Sequence, residues 1–443
     1  MDNKLMVAIG VVVVVAIVAI AAFAILGNNS DNTDYSGKDE SSIRLTIYGN
    51  ANGDDVIDKT DVAILNRVIE RNSDDDATND IDWKKEYPYA DADQDGKITK
   101  SDVTAVQNFI DKKSQRMYYK SYFGDTKYVQ FPIGNKVASE YCGVELLIAT
   151  QAYDMWTAVT TDFQYGEDFY PGVSTKSTSI GGWREITMET LADSYDKGVC
   201  NVLIQWTGGQ NTDYLWDDMV KSGMIDKVAL VAVPVQGPTC INGVLMFANM
   251  LGMPELAKEY TAWYDEAMDL FSEIGKSITK KTVTVTRAYN DKQANIAAFG
   301  GKQGPALWFN QIVNFQDEYK DATNFVVLGF ESWAATATDE IIAMLQQGSH
   351  EPDTYNEFIE KRFKALFSES TQYKNQKIYA TTFNYQAFFS GPAMCYLLAA
   401  DLYPDNFDKE EAYQFLQTYL DKFSPLEDAD AHYGFVYSGN GYN

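Results

Sequence analysis

The segment Asp91–Asp102, DADQDGKITKSD, places oxygen-bearing side chains at loop positions 1, 3, 5, 9 and 12, from Asp91, Asp93, Asp95, Thr99 and Asp102. Position 7, Lys97, would contribute its carbonyl. Calcium takes about six to eight hard oxygen ligands, and this spacing wraps a short loop around one ion. Gly96 at position 6 supplies the left-handed turn. A twin lies upstream at Asn50–Asp61, NANGDDVIDKTD, with Asn50, Asn52, Asp54, the Val56 carbonyl, Asp58 and Asp61 at the same positions. Asp55 replaces the glycine there and is expected to take the same left-handed turn, which Asp adopts more readily than most residues. Each loop runs into an apolar helical pattern, DVAILNRVIE and DVTAVQNFID. The pair predicts two bound Ca2+.

Aspartate stands at position 12 of both loops, where an ordinary EF-hand prefers a bidentate glutamate. The first loop follows a strand-like stretch, IRLTIYGN, instead of a leading helix. Residues 44–116, loop and helix twice over, resemble a dockerin, the small module that binds cohesin domains. The resemblance implies a cohesin-bearing partner, chosen in part by positions 10 and 11: Lys59 and Thr60, then Lys100 and Ser101.

These loops sit in a chain of 443 residues with net charge −27, which argues against nucleic acid or an anionic membrane surface as partner. Met6–Leu26 carries no charged residue. As a helix at about 1.5 Å per residue it is long enough to cross a hydrocarbon core about 30 Å thick. We expect an uncleaved signal anchor over 1–27, with Ala22-Phe23-Ala24 as the alternative cleavage point, then a polar linker over 28–43. Lys4 before the run places the bulk of the chain outside the membrane, as a single-pass cell-membrane protein. Cys142, Cys200, Cys240 and Cys395 fit no metal pattern and are either disulfides or buried thiols. Two histidines, His350 and His432, make a histidine site for bare zinc or manganese improbable.

After a linker-like KKSQRMYYK, residues 117–443 suffice for two lobes. Short apolar runs, NVLIQW and KVALVAVPV, alternate with helical patterns and predict buried parallel strands. From Pro254 to Ile278 apolar residues recur every three or four positions, which predicts one long helix. TVTVTRAY, NIAAFG, NFVVLGF and KIYATTFNY then read as strands of a second lobe. The expected fold class is α/β: two Rossmann-like lobes (117–253 and 279–443) joined by a backbone helix (254–278).

That plan resembles the class III substrate-binding proteins of ABC importers, which serve siderophores, haem and cobalamin. The resemblance follows the order of YFGDTKYVQFPIGNKVASEYCGVELLIA, SIGGWREITMETLADSYDKGVCNVLIQWTGG, INGVLMFANMLGMPELAKEYTAWY and KIYATTFNY with GPAMCYLLAADLYPDNFD. It implies one acidic residue on each lobe for an ABC permease: Glu189, and on the second lobe Glu340, each on a helix face. It implies a ligand held between the lobes at strand ends. Trp183 would stack on it, with Arg184 beside. Tyr141, Tyr165, Trp206, Trp308, Trp333 and Tyr385 are the other aromatic candidates, and Lys302 a further cation. No catalytic residues are assigned, since nucleophile elbow, phosphate loop and zinc-protease helix are absent from the sequence.

The sequence thus favours a tethered receptor for an iron chelate or corrinoid, carrying a cohesin-docking module. A dockerin-bearing carbohydrate-active enzyme and a surface scaffold without transport are the competing readings.

Overall fold

Apolar residues at helical spacing set the core of the calcium module. α1 (Lys59–Ser73) buries Ile64, Leu65 and Val68, α2 (Lys100–Ile110) buries Ala105, Val106 and Phe109, and the two stripes pack together. The computed structural model describes residues 38–73, 83–163, 166–167, 169–182, 185–205, 215–287, 295–302, 304–323, 325–329, 340–345, 361, 364, 368–382, 389–432 and 436–438. The apolar run Met6–Leu26 lies outside them; among the described residues no helix is long and apolar enough to cross a membrane.

The stretch expected as a linker is largely a strand. β1 (Gln115–Lys120) pairs antiparallel with β2 (Thr126–Phe131), Tyr118 opposite Tyr128. Met117 and Tyr119 alternate inward and are buried, the period of a half-covered strand. The other edge of β1 is taken by IRLTIYGN: Tyr48 N–H donates to the Tyr118 carbonyl at 3.0 Å, and Lys120 N–H donates to the Thr46 carbonyl at 2.9 Å. The calcium module is therefore hydrogen-bonded to the body of the protein.

The first lobe is an all-parallel sheet in the order β4-β3-β5-β6, from β3 (Val137–Ser139), β4 (Trp156–Val159), β5 (Val202–Ile204) and β6 (Ala229–Val231). Successive residues serve opposite faces. Val202 and Ile204 join the main core with α3 (Tyr141–Ala149), whereas Leu203 joins a second core with Leu191 of α4 (Met188–Asp196) and Met219 of α5 (Trp216–Ser222). Covered on both faces, these strands are apolar throughout.

α6 (Cys240–Met250) leads to a 3-10 turn at Pro254–Ala257, and only then to α7 (Lys258–Ser277), so the predicted long helix begins with a tighter turn. α7 buries Tyr260, Trp263, Tyr264, Ala267, Phe271 and Ile274 along one stripe. Trp263 stacks on Phe415 of α9 (Lys409–Phe423), ring centroids 5.4 Å apart, tying the interlobe helix to the second lobe. α9 packs on α8 (Gly391–Leu402), which is almost wholly buried.

The second lobe departs from the expected parallel sheet. Its strands are β7 (Thr282–Arg287), β8 (Asn295–Ala298), β9 (Asn314–Phe315), β10 (Val326–Gly329), β11 (Glu340–Leu345), β12 (Ile378–Thr382) and β13 (Val436–Ser438). The order is β10-β8-β7-β11-β12-β13, with β9 also on β7. Only β7, β9, β11 and β12 pair in parallel; β8, β10 and β13 run antiparallel. All four cysteines are buried and none forms a disulfide.

Candidate functional site

Both calcium loops are folded by their own carboxylates. In the first, Asp61 at position 12 accepts from the backbone N–H of Asn52 at 3.1 Å and of Asp58 at 2.8 Å. In the second, Asp102 accepts from Ala92 and Thr99 N–H at 2.8 Å each, and from Asp93 N–H at 3.3 Å. One carboxylate thus pins the start of each loop to position 9, which caps the following helix: Asp58 accepts from Thr60 N–H, and Thr99 from Ser101 N–H. Asp61 and Asp102 are fully buried.

The donor set fits a hard cation. Carboxylate oxygens of Asp91, Asp93 and Asp95 lie within 4.8 Å of one another. Asn50 donates from Nδ2 to the carbonyls of Leu45 and Asp54, each at 2.8 Å, which leaves its buried Oδ1 at position 1 with no hydrogen-bond partner. An orphaned acceptor of that kind is costly unless something positive meets it. Burial pushes the Asp61 carboxyl up to about 8 and that of Asp102 to about 6, and it raises Asp54 and Asp91 as well. A divalent cation reverses that penalty. Asn50, Asn52, Asp54, the Val56 carbonyl, Asp58 and Asp61 would hold one Ca2+. Asp91, Asp93, Asp95, the Lys97 carbonyl, Thr99 and Asp102 would hold the other.

Asp55 differs from expectation. The positive φ of the first loop falls on Gly53 (66°) at position 4, whereas the second loop has Gln94 (59°) and Gly96 (91°) at positions 4 and 6. Asp55 instead turns its carboxylate to Arg44, whose Nε donates to Oδ1 at 3.1 Å. Lys59, Lys100 and Ser101 are exposed and Thr60 is half-buried; Lys100 Nζ reaches Asn66 Oδ1 on α1 at 2.6 Å.

A second site emerges at the carboxyl edge of the first-lobe sheet. The chain passes from β3 to β4 on one side and from β5 to β6 on the other, so β3 and β5 flank the point where the winding reverses. Open α/β sheets bind ligands at that point. Ser139 pairs with Val159 and Ala138 with Leu203, so the next register row is Thr160, Glu140 and Gln205. All three are buried polar residues, as is Gln236 beyond β6. Among the described residues, Thr160 Oγ1 and Gln236 Nε2 have no hydrogen-bond partner. Glu140 Oε1 accepts from Cys142 Sγ at 2.9 Å, and Glu145 accepts from Tyr170 Oη at 2.7 Å. Burial pushes both glutamates up to about 8, and the nearby Asp162 carboxylate adds to the shift of Glu140. Beside Gln236, Gly237 (φ 64°) meets the other lobe: a Cβ there would stand 2.6 Å from the Gly304 carbonyl oxygen. None of this row was among the sequence candidates, yet a signal was present, since each apolar run ends on a polar residue: VAS-Glu140, TAV-Thr160, VLI-Gln205.

Of the expected ligand residues, Trp183, Arg184, Tyr165, Trp206, Trp333 and Tyr385 lie outside the described residues. Tyr141 is partly buried in the first turn of α3, directly after Glu140. Trp308 is corrected: it is fully buried among core side chains, its ring 6.2 Å from that of Tyr264, and a Cβ on Gly391 would stand 2.4 Å from its Nε1. Lys302 pairs with Asp321 at 2.8 Å on the surface. Glu189 is exposed in the first turn of α4. Glu340 is corrected too. It opens strand β11 instead of riding a helix face, and it is 4% exposed and ion-paired with Lys281 at 2.7 Å, so it is not presented to a partner.

Comparison with known proteins matches residues 48–111 to the dockerin type I domain. Among solved structures, the chain is similar to a TroA-like periplasmic binding protein, FepB, from Veillonella parvula, at 13% identity and TM-score 0.55, covering 72% of this chain and 99% of that one. A second periplasmic solute binding protein of Veillonella parvula gives 13% identity and TM-score 0.53 over 72% and 97% of the two chains. CeuE of Helicobacter pylori, solved with Ni(II) bound, gives 14% and 0.51 over 71% and 98%. No curated protein matches. At such identities the likeness speaks for the fold. The chain therefore carries a dockerin type I domain at residues 48–111, joined to a two-lobed body whose fold is similar to that of these periplasmic binding proteins.

Proposed function

We propose that this protein is an extracytoplasmic receptor that captures a metal chelate or corrinoid between its lobes and passes it to an ABC permease. The observation that carries this reading is the buried polar row Thr160, Glu140 and Gln205 at the reversal point of the first-lobe sheet, beside the Gly237–Gly304 contact of the two lobes. Its structural neighbours, periplasmic binding proteins of which one was solved with Ni(II) bound, support the solute-binding class. The dockerin domain adds a cohesin-bearing partner, met through Lys59, Thr60, Lys100 and Ser101, and a requirement for Ca2+. Met6–Leu26 would tether the chain to the cell membrane with its bulk outside. Glu189 would meet a basic pocket of the permease.

A thermal-shift screen of the full chain in detergent, with calcium, against ferric chelates, haem and cobalamin tests the reading. A ligand at a hundred times its Kd stabilises the folded state by about 2.7 kcal/mol. No stabilisation by any of them, together with binding of a polysaccharide fragment, would hand the function to the carbohydrate-active alternative.

A further inference from the structure

The outer face of the β1–β2 seam carries a line of aromatic rings that neither the calcium loops nor the interlobe crevice uses. Ile47 bridges Tyr119, Tyr48 N–H donates to the Tyr118 carbonyl, and Tyr118 pairs with Tyr128. Tyr48, Tyr118 and Tyr128 therefore fall in one row across 46–48, β1 and β2. Their neighbours Ile47, Tyr119 and Val129 are fully buried, so by alternation the three tyrosines turn outward, where each is half-buried. The ring centroids of Tyr118 and Tyr128 are 5.8 Å apart. Tyr89 extends the line at one end, 5.3 Å from Tyr48, and Trp216 at the other, 5.5 Å from Tyr128. Tyr48 Oη lies 3.1 Å from Thr126 Oγ1 on β2, so its ring reaches across β1 and lies along the sheet.

Two ion pairs border the rings. Lys120 Nζ meets Glu40 Oε1 at 2.6 Å, and Arg116 Nη2 lies 3.8 Å from Asp226 Oδ1; all four side chains are between 39% and 49% exposed. Lys120 and Glu40 also line a cavity of about 480 Å3, together with Tyr89, Tyr122, Thr239 and Asn242. Calcium module, seam and first lobe all contribute to that cavity, whose size is that of a small-molecule site.

Each ion pair sets a donor beside an acceptor, as a vicinal diol requires, and its two charges offset one another. Aromatic rings next to such pairs suit the C–H face of a pyranose. Strand spacing repeats the rings about every 5 Å along the row, comparable with the length of one sugar unit. A peptide added as a strand needs an open edge, and both edges of β1 are hydrogen-bonded. We propose that this face binds an extended neutral saccharide, stacked along Tyr48, Tyr118 and Tyr128 with one end in the cavity. The site lies outside the interlobe crevice and does not depend on the receptor reading. It would hold the protein on a polysaccharide while the crevice takes a different, small solute.

Titration calorimetry on the full chain, with calcium and in a detergent without a sugar headgroup, tests the proposal. The probes are cellohexaose, xylohexaose and the anionic hexagalacturonate. A neutral hexaose is expected to bind, with hexagalacturonate weaker by about tenfold or more. Tyr118→Ala should weaken the neutral hexaose about tenfold, whereas Tyr118→Trp should preserve it, since the contact is made by the ring. Melting curves show that the variants are folded. Should Tyr118→Ala fail to fold, Glu40→Gln at the exposed ion pair should weaken the same binding several-fold. Binding of neither neutral hexaose, or binding that survives both Tyr118→Ala and Glu40→Gln, overturns the proposal and leaves the receptor reading standing. Tightest binding of hexagalacturonate overturns the neutral assignment. Binding of phosphatidylcholine vesicles in place of the hexaoses, lost in Tyr118→Ala, would make the face a membrane contact and overturns it as well. If ferric chelates, haem and cobalamin all fail while saccharide binding requires Tyr118, the receptor reading falls and this site stands.

Discussion

Arg44 donates from Nη1 to Asp265 Oδ1 on the interlobe helix α7 at 2.5 Å, while the same guanidinium holds Asp55 of the first calcium loop. With the hydrogen bonds of Tyr48 and Lys120 to the β1 seam, this joins the calcium module to the frame that carries both lobes. Removing calcium should therefore be felt beyond the loops. Hydrogen exchange on the full chain is expected to show faster exchange at 115–120 in a chelator than in calcium. Arg44→Ala should reduce the added exchange at 258–277. The two ion pairs are about a third to a half exposed, so melting should change little, by about 0.5–1 kcal/mol per pair at most. Exchange at 115–120 indifferent to calcium would show that the seam transmits nothing.

The twin loops should fail separately. Asp61→Ala removes the carboxylate that pins the first loop, and Asp102→Ala does the same for the second. Calorimetry is expected to lose one Ca2+ per variant and both in the double variant. Loss of all binding in either single variant would mean that the loops fill only together.

Burial raises the Glu145 carboxyl from 4.5 to about 8, so its protonated form favours the folded state. That contribution is full below the ordinary carboxylate range and disappears as pH rises through the folded value. The melting temperature of wild type minus that of Glu145→Gln should therefore fall from about pH 5 to pH 8. Glu140 moves in the same direction, so the double variant should flatten the profile further. A constant difference across that window would show that Glu145 is not buried in its protonated form.

Glu189 and Trp183 should fail differently. Glu189→Ala removes an exposed charge and should leave stability within about 0.5 kcal/mol and chelate affinity unchanged, yet lower uptake in vesicles containing the permease. Trp183→Ala should cost about 1–3 kcal/mol of chelate affinity if its ring is a wall of the site. Full uptake with Glu189→Ala removes the docking role. Unchanged affinity with Trp183→Ala removes the stacking role.

What proved legible was local. A calcium loop is a run of consecutive residues whose side chains meet because the chain turns on itself, so Asp91, Asp93, Asp95 and Asp102 could be placed by spacing alone. The interlobe helix was legible for a similar reason, since Tyr260, Trp263, Ala267, Phe271 and Ile274 repeat at the helical period. The first-lobe strands were visible because burial on both faces leaves unbroken apolar runs.

What the sequence left open depended on distant partners. EIIAML is compatible with helix or strand, and β7 and β12 settled it by pairing on both sides, which buried Glu340 at the strand start. QRMYYK read as a linker until 126–131 and Tyr48 supplied its hydrogen-bonding edges. Trp308 looked like a cleft aromatic, and Gly391 and Tyr264 close over it. By itself the sequence determined that the chain carries a dockerin-type module with two calcium-type loops and continues into an α/β body around a long helix, because spacing and period act within one stretch of chain. The tertiary structure alone decided that the module is welded to the body, and that Thr160, Glu140 and Gln205 form one row. Hydrogen-bonded register aligns residues far apart in sequence, and no local pattern encodes it.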